Sequence, residues 1–208
     1  MNRRGGANRV RVIAGQWRGR RLEFPDLPEL RPTPDRVRET LFNWLAPVLP
    51  GARCLDLFAG SGALGIEALS RGVAEVVFVE RHPVAVRALR DNLARLNAES
   101  ARVEMAEALA WLRQPGAPFE IVLLDPPFEQ GLLEPVCAML EQNGWLADPA
   151  WIYLEAETEL EGLPLPIHWT IHRENVAGAV SYRLARRGPL HCNGQNSDRF
   201  YRSYIYDK

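Results

Sequence analysis

Val37, Leu41, Trp44 and Leu45 recur at the spacing of one helix face, and Pro32-Thr33-Pro34 stands just ahead of them. This predicts a helix with Thr33 as N-cap and Pro34 at its first position, ended by Pro47 and Pro50-Gly51. From Ala52 onward the period changes: short apolar runs at 53–58, 75–80, 102–105, 120–124 and 151–155 read as strands. The stretches between them, 63–71, 83–96, 106–113 and 132–143, read as helices, with Gly72 and Gly144 as C-terminal stops. Such alternation builds a mostly parallel α/β sheet with helices on both faces. After Leu160 the pattern shifts again, and 168–173 with 179–186 flank Glu174 to Gly178 as an antiparallel hairpin at the sheet's edge. Residues 188–208 are polar and aromatic without a clear period, and no internal repeat is present.

Composition adds bounds rather than shape. With 208 residues, 47% hydrophobic and 25% charged, the chain has ordinary globular make-up and enough length for one substantial core. The expectation is one domain over 1–187, including a basic arm at 1–33, followed by an extension at 188–208. No run approaches the roughly 20 apolar residues of a membrane span, and the N-terminus lacks a signal-type apolar stretch, so a soluble cytoplasmic protein is expected. Cys54, Cys137 and Cys192 have no CxxC spacing, so neither a disulfide framework nor a metal cluster is expected.

Charge is unevenly spread. Residues 1–21 hold seven arginines and no acidic residue, although the formal net charge of the whole chain is −1. Lys208 is the only lysine, so cationic contacts fall to arginine, whose planar fork suits phosphate. Arg11, Arg18, Arg20 and Arg21 in the arm, and Arg31, Arg36 and Arg38 around the first helix start, are candidate contacts to a nucleic-acid backbone. Cations at a helix start oppose the dipole unless an anion is bound there.

Candidate chemistry gathers at the predicted strand ends. Asp56-Leu57-Phe58-Ala59-Gly60-Ser61-Gly62, followed by Gly65, gives a strand, a glycine turn and a helix start, and Glu80 ends the next strand. The spacing satisfies the Rossmann dinucleotide fingerprint, yet Asp56 ahead of the glycines repels pyrophosphate and attracts an amine. S-adenosylmethionine carries an ammonium and a sulfonium and no phosphate, so it fits better. Asp56, Phe58, Gly60 and Gly62 are then candidate cofactor residues, with Glu80 placed for the ribose hydroxyls. Glu107 follows the third strand, either approaching the adenine edge or standing as an exposed residue favoured by the helix dipole.

A second feature, Glu120-Ile-Val-Leu-Leu-Asp125-Pro126-Pro127-Phe128, drives a buried strand into the same crevice. An exocyclic base amine is a weak nucleophile because its lone pair is delocalised into the ring. The Asp125 carboxylate and the Pro126 carbonyl can accept its two hydrogens and orient it towards a methyl donor. The two prolines stiffen the loop and remove backbone donors, while Phe128 offers a face for a flipped-out base. Asp125, Pro126 and Phe128 are thus candidate catalytic residues, with Asp125 also at the cofactor.

Together these residues resemble the class I S-adenosylmethionine-dependent methyltransferases of exocyclic amines, and more narrowly the RsmD family. The resemblance runs from Arg9 to about Arg187. It rests on the arm 11–22, on Arg31-Pro-Thr-Pro-Asp-Arg-Val-Arg38 and its continuation to Leu45, and on Leu55 to Gly62. Asp125 to Phe128, Ile152-Tyr-Leu-Glu155, and His172-Arg-Glu174 with Gly178 and Tyr182 complete it. It implies a seven-stranded Rossmann-like sheet and a monomer. It also implies methylation of the N2 amine of a guanine in small-subunit ribosomal RNA, on the small ribosomal subunit. The arm, Arg36 and Arg38 would hold the RNA backbone. The tail from Gly188, with Arg199-Phe200-Tyr201-Arg202, departs from the family pattern. The residues by themselves leave open an adenine-N6 or cytosine-N4 DNA methyltransferase, a protein glutamine methyltransferase, a nicotinamide-dependent oxidoreductase and a non-catalytic RNA-binding protein.

Overall fold

A computed structural model of the chain describes residues 8–27, 30–128, 130–158 and 165–188. The motif Arg199 to Arg202 and Cys192 lie outside the described residues. The order of elements is β1 (Asn8–Arg11), β2 (Arg21–Phe24), α1 (Asp35–Leu45), β3 (Arg53–Asp56), α2 (Ala63–Ser70), β4 (Glu75–Glu80) and α3 (Pro83–Leu96). β5 (Ala101–Met105), α4 (Ala108–Leu112), β6 (Phe119–Leu124), α5 (Leu133–Gln142), β7 (Leu146–Glu157), β8 (Trp169–Ala177) and β9 (Val180–Arg187) follow.

Seven strands form one sheet in the order β5-β4-β3-β6-β7-β9-β8. β5, β4, β3, β6 and β7 are mutually parallel, and β9 and β8 run antiparallel at the edge. Alternation along each central strand divides the core in two. Val76 and Phe78 of β4, with Ile121 and Leu123 of β6, meet α1, α2 and α3 on one face. Val77, Val79, Val122 and Leu124 meet Trp111 and Leu112 of α4, and Val136 and Leu140 of α5, on the other. After β3 the chain builds outward to β4 and β5, then returns to place β6 on the other side of β3. The crevice beyond the carboxyl ends of β3 and β6 is therefore the switch point at which open α/β sheets bind ligands.

The arm is not a free basic tail. β1 and β2 pair antiparallel with Val10 opposite Leu22, and Val10, Val12, Leu22 and Phe24 are buried. Buried Asn92 of α3 receives the Glu23 N–H at 3.1 Å and donates to its carbonyl at 2.8 Å, which fixes β2 to the sheet's helical layer. The loop between β1 and β2 docks on α2, where the Glu67 carboxylate accepts the N–H groups of Ile13 and Ala14 at 2.8 and 3.0 Å. All eight residues of α2 are buried, and its two polar members, Glu67 and Ser70, are engaged by the arm: Glu67 holds Ile13 and Ala14, and the Ser70 hydroxyl accepts the Trp17 N–H at 3.0 Å.

Several local expectations shift. Pro34 rather than Thr33 takes the N-cap position of α1, with no side-chain cap, because Thr33 turns its hydroxyl inward to the sheet. β7 runs over twelve residues from Leu146, well before Trp151. The β8–β9 turn is only Gly178 and Ala179, since Glu174 to Ala177 already pair with β9; Gly178 takes φ +64° at its first position. α4 is shorter than 106–113 and starts at Ala108, capped by Glu107. Among the described residues no helix is long and apolar enough to cross a membrane.

Candidate active site

Three acidic residues close three neighbouring strands: Asp56 ends β3, Glu80 ends β4, and Asp125 follows the last residue of β6. Glu80 is tied to the glycine turn, accepting the Gly60 N–H at 2.8 Å on one oxygen and the His82 N–H at 2.7 Å on the other. A carboxylate has about four lone-pair sites, so both oxygens keep capacity for further donors in the cavity they line. Gly60 has φ +52°, a left-handed conformation that a side chain disfavours, and it forms the cavity floor beside Phe58. Gly62, at φ +77°, lines neither the main cavity nor the side cavity beside Asp56; a Cβ there would fall 2.3 Å from Leu89 Cδ1. Gly62 thus shapes the turn into α2, where the missing side chain lets Leu89 pack close.

Asp56 also works from behind the loop. It is buried, and its Oδ2 accepts the Gly65 N–H at 2.9 Å, bracing strand to helix. Burial pushes its carboxyl from the ordinary 3.8 up to about 7; the Gly65 N–H opposes the rise and the Glu80 charge adds to it. It borders a side cavity of about 60 Å³ with Thr33, Ser61 and Asp125, not the main one.

The main cavity measures about 840 Å³, within the range of small-molecule sites. Leu57, Phe58, Val79, Ala106 and Ala108 give it apolar walls, and Glu80, Glu107 and Asp125 supply acids. Glu107 is exposed and lines the cavity, while its Oε2 caps α4 by accepting the N–H groups of Leu109 and Ala110 at 3.0 and 3.2 Å. Asp125, Pro126, Pro127 and Phe128 line the opposite side. Phe128 is 40% exposed, a large apolar ring left open at the mouth.

Asp125 belongs to a network that sequence reading left without roles. The Thr33 hydroxyl donates to Glu155 Oε1 at 3.0 Å and lies 3.4 Å from Asp125 Oδ2, while the Tyr153 hydroxyl donates to the same Glu155 oxygen at 2.8 Å. Burial first, then the Glu155 and Asp56 charges, raise the Asp125 carboxyl well above its usual range, with Thr33 opposing. Burial also raises Glu155, against the two hydroxyl donors. The Tyr153 phenol is pushed up by burial and by Glu155. The sequence signal for this trio was the Arg31 to Pro34 and Ile152 to Glu155 motifs, whose partners lie more than 100 positions apart.

The candidate RNA contacts divide. Arg11, Arg18, Arg20, Arg21, Arg31 and Arg36 are exposed, and Arg31 sits at the mouth, lining both cavities. Arg38 corrects the expectation: its side chain is 0% exposed. It donates to the carbonyls of Thr33 and Arg11 at 3.1 and 2.9 Å and pairs with Asp35 at 2.6 Å and Glu67 at 3.6 Å. It fastens arm, α1 and α2 together and cannot reach a phosphate from there.

The family model described as conserved hypothetical protein 95 matches residues 10–186. The chain is 57% identical over 183 residues to ribosomal RNA small subunit methyltransferase D of Escherichia coli strain K12, covering 88% of this chain and 92% of that one. The chain belongs to the RsmD family of class I methyltransferases. The Haemophilus influenzae enzyme of the same name is 46% identical over 84% of this chain and 92% of its own. The solved structure of Escherichia coli yhhF superposes with a TM-score of 0.83 at 52% identity, over 88% of this chain and all of that one. The Rossmann-like seven-stranded fold expected of an RsmD protein is the one observed.

Proposed function

We propose that this RsmD protein transfers a methyl group from S-adenosylmethionine to the exocyclic N2 amine of a guanine in small-subunit ribosomal RNA. We read it as a cytoplasmic monomer acting on the small ribosomal subunit. The observation that carries the reading is Asp125, held beside Pro126 and Phe128 on the wall facing Glu80 and the glycine turn.

The cavity fits the cofactor by its donor set. A chamber of about 840 Å³ whose lining joins apolar walls to the acids Glu80, Glu107, Asp125 and Glu155, beside Arg31, Arg81 and His82, suits a cation with an adenine ring. Glu80 would hold the ribose hydroxyls, Phe58 and the Gly60 backbone the floor, and Glu107 the adenine edge. When bound, S-adenosylmethionine supplies an electrophilic methyl carbon.

The remaining work falls to the chain. Asp125 and the Pro126 carbonyl accept the two amine hydrogens, which aligns the nitrogen lone pair with its target and favours rehybridisation. Phe128 stacks on the extruded base, repaying part of its unstacking cost of a few kcal/mol. The exposed arginines at 11, 18, 20, 21, 31 and 36 meet phosphates and set register without reading sequence.

The test is transfer of labelled methyl to small subunits from a strain lacking the endogenous enzyme, with free ribosomal RNA and DNA alongside. N2-methylguanosine formed preferentially on the subunit is expected. Label on DNA or protein would overturn the substrate while leaving the fold and the site in place.

A further inference from the structure

Thr33 Oγ1 stands between two carboxylate oxygens, at 3.0 Å from Glu155 Oε1 and 3.4 Å from Asp125 Oδ2, yet a hydroxyl has one proton to give. The shorter contact marks Glu155 as the acceptor, so a Thr33 lone pair is left towards Asp125. A second donor, the Tyr153 hydroxyl at 2.8 Å, converges on the same Glu155 oxygen. Thr33 is 5% and Glu155 4% exposed, and both line the main cavity beside Asp125.

We infer that Thr33 and Glu155 are positioning residues that relay the amine proton away from Asp125, an inference that rests on the methyl-transfer reading above. As the methylated nitrogen becomes cationic, its N–H bond breaks to the Asp125 carboxylate. Asp125 passes a proton to Thr33 Oγ1 while the Thr33 hydroxyl proton moves to Glu155 Oε1. One N–H bond is lost, one O–H bond is gained on Glu155, and Asp125 and Thr33 return to their starting states. Methyl transfer also removes the cofactor's positive charge from beside two buried carboxylates, and one proton retained by the pair balances that loss. On product release the proton leaves by the same path to the open cavity. The 3.4 Å contact is long, as catalytic hydrogen bonds often are before substrate closes the site.

The groups facing the pair are Tyr153 of β7, Asp56 at the end of β3 and Thr33 before α1, with Tyr182 of β9 in register with Glu155 and acting on Tyr153. Among them Asp56 alone adds a carboxylate charge to the pair's own.

The test joins a titration to a rate. In substrate-free protein, carbon-13 carboxyl shifts of Asp125 and Glu155 followed by NMR against pH are expected to show coupled midpoints, with Glu155→Gln lowering the Asp125 midpoint. Independent midpoints, with Asp125 unmoved by Glu155→Gln, would overturn the shared unit whatever the substrate proves to be. In methyl transfer, Thr33→Val and Glu155→Gln should each lower kcat about tenfold or more with KM and cofactor affinity held, and Thr33→Ser should restore the rate. The double variant Thr33→Val with Glu155→Gln should be no slower than the worse single, and Glu155→Gln should move the acid limb of the rate profile to lower pH. Equal losses for Thr33→Val and Thr33→Ser, or an unmoved acid limb, would reduce the trio to packing and overturn the relay. A wild-type protein without activity on subunits would instead overturn the methyl-transfer reading, and the NMR result would still decide whether the two carboxyls titrate as one unit.

Discussion

The Glu80 carboxylate accepts the Gly60 N–H at 2.8 Å, so the acid that ends β4 holds the glycine turn that leaves β3. One side chain therefore shapes the floor of the cavity and faces into it. Glu80→Ala removes two charge-assisted bonds to the loop, those to Gly60 and His82, along with the ribose acceptor. Hydrogen bonds to charged groups are worth about 1.5–3 kcal/mol, so S-adenosylmethionine affinity is expected to fall roughly ten- to a hundredfold by calorimetry. Wild-type affinity in this variant would remove Glu80 from the cofactor site.

Arginines of the same sequence neighbourhood should separate by what they do. Arg38→Ala leaves Glu67 buried without one of its cations and is expected to cost about 3–5 kcal/mol in denaturant unfolding. Replacing Arg18, Arg20 and Arg21 together by Ala should leave stability within about 0.5 kcal/mol each, since all three are exposed. It should weaken binding to small-subunit RNA and flatten its salt dependence, with cofactor affinity unchanged. An unchanged salt slope would mean that the arm does not touch phosphate.

Asp56 gives the fold a pH signature. Its carboxyl is raised from 3.8 to about 7, so between those values the folded protein holds a proton that the unfolded chain releases. Its contribution is fully present below about pH 4 and is lost as pH rises through about 7. Asp56→Asn should flatten this part of the dependence of melting temperature on pH, because the amide keeps the Gly65 contact without titrating. A slope identical to wild type would mean that the Asp56 proton does not differ between the folded and unfolded states.

What sequence made legible was local. Asp56 to Gly62 and Asp125 to Phe128 lie within single strand–loop units, so spacing alone placed them at strand ends, and the continuous apolar runs of β4 and β6, alternating with helical stretches, gave away a sheet covered on both faces. The β1–β2 hairpin was hidden because Arg9, Arg11 and Arg21 surround Val10, Val12 and Leu22, and their charge drew attention from the alternating apolar face. Thr33 and Arg38 misled for a different reason. Each has a common local role, helix cap and surface cation, that tertiary packing overrode: Thr33 reaches Glu155 and Arg38 reaches Glu67, both far along the chain. Contacts at such separations leave no periodic trace, and the Asp125–Thr33–Glu155 network became visible only when β6, β7 and the segment before α1 were brought together.

The central claim is that Asp125, although it edges the cofactor chamber, is needed to orient the acceptor amine and not to retain the cofactor. The direct measurement is single-turnover methyl transfer to small subunits by Asp125→Ala, paired with calorimetric titration of S-adenosylmethionine into the same protein. Retained cofactor binding with nearly all transfer lost is the predicted result; wild-type turnover in Asp125→Ala would contradict it.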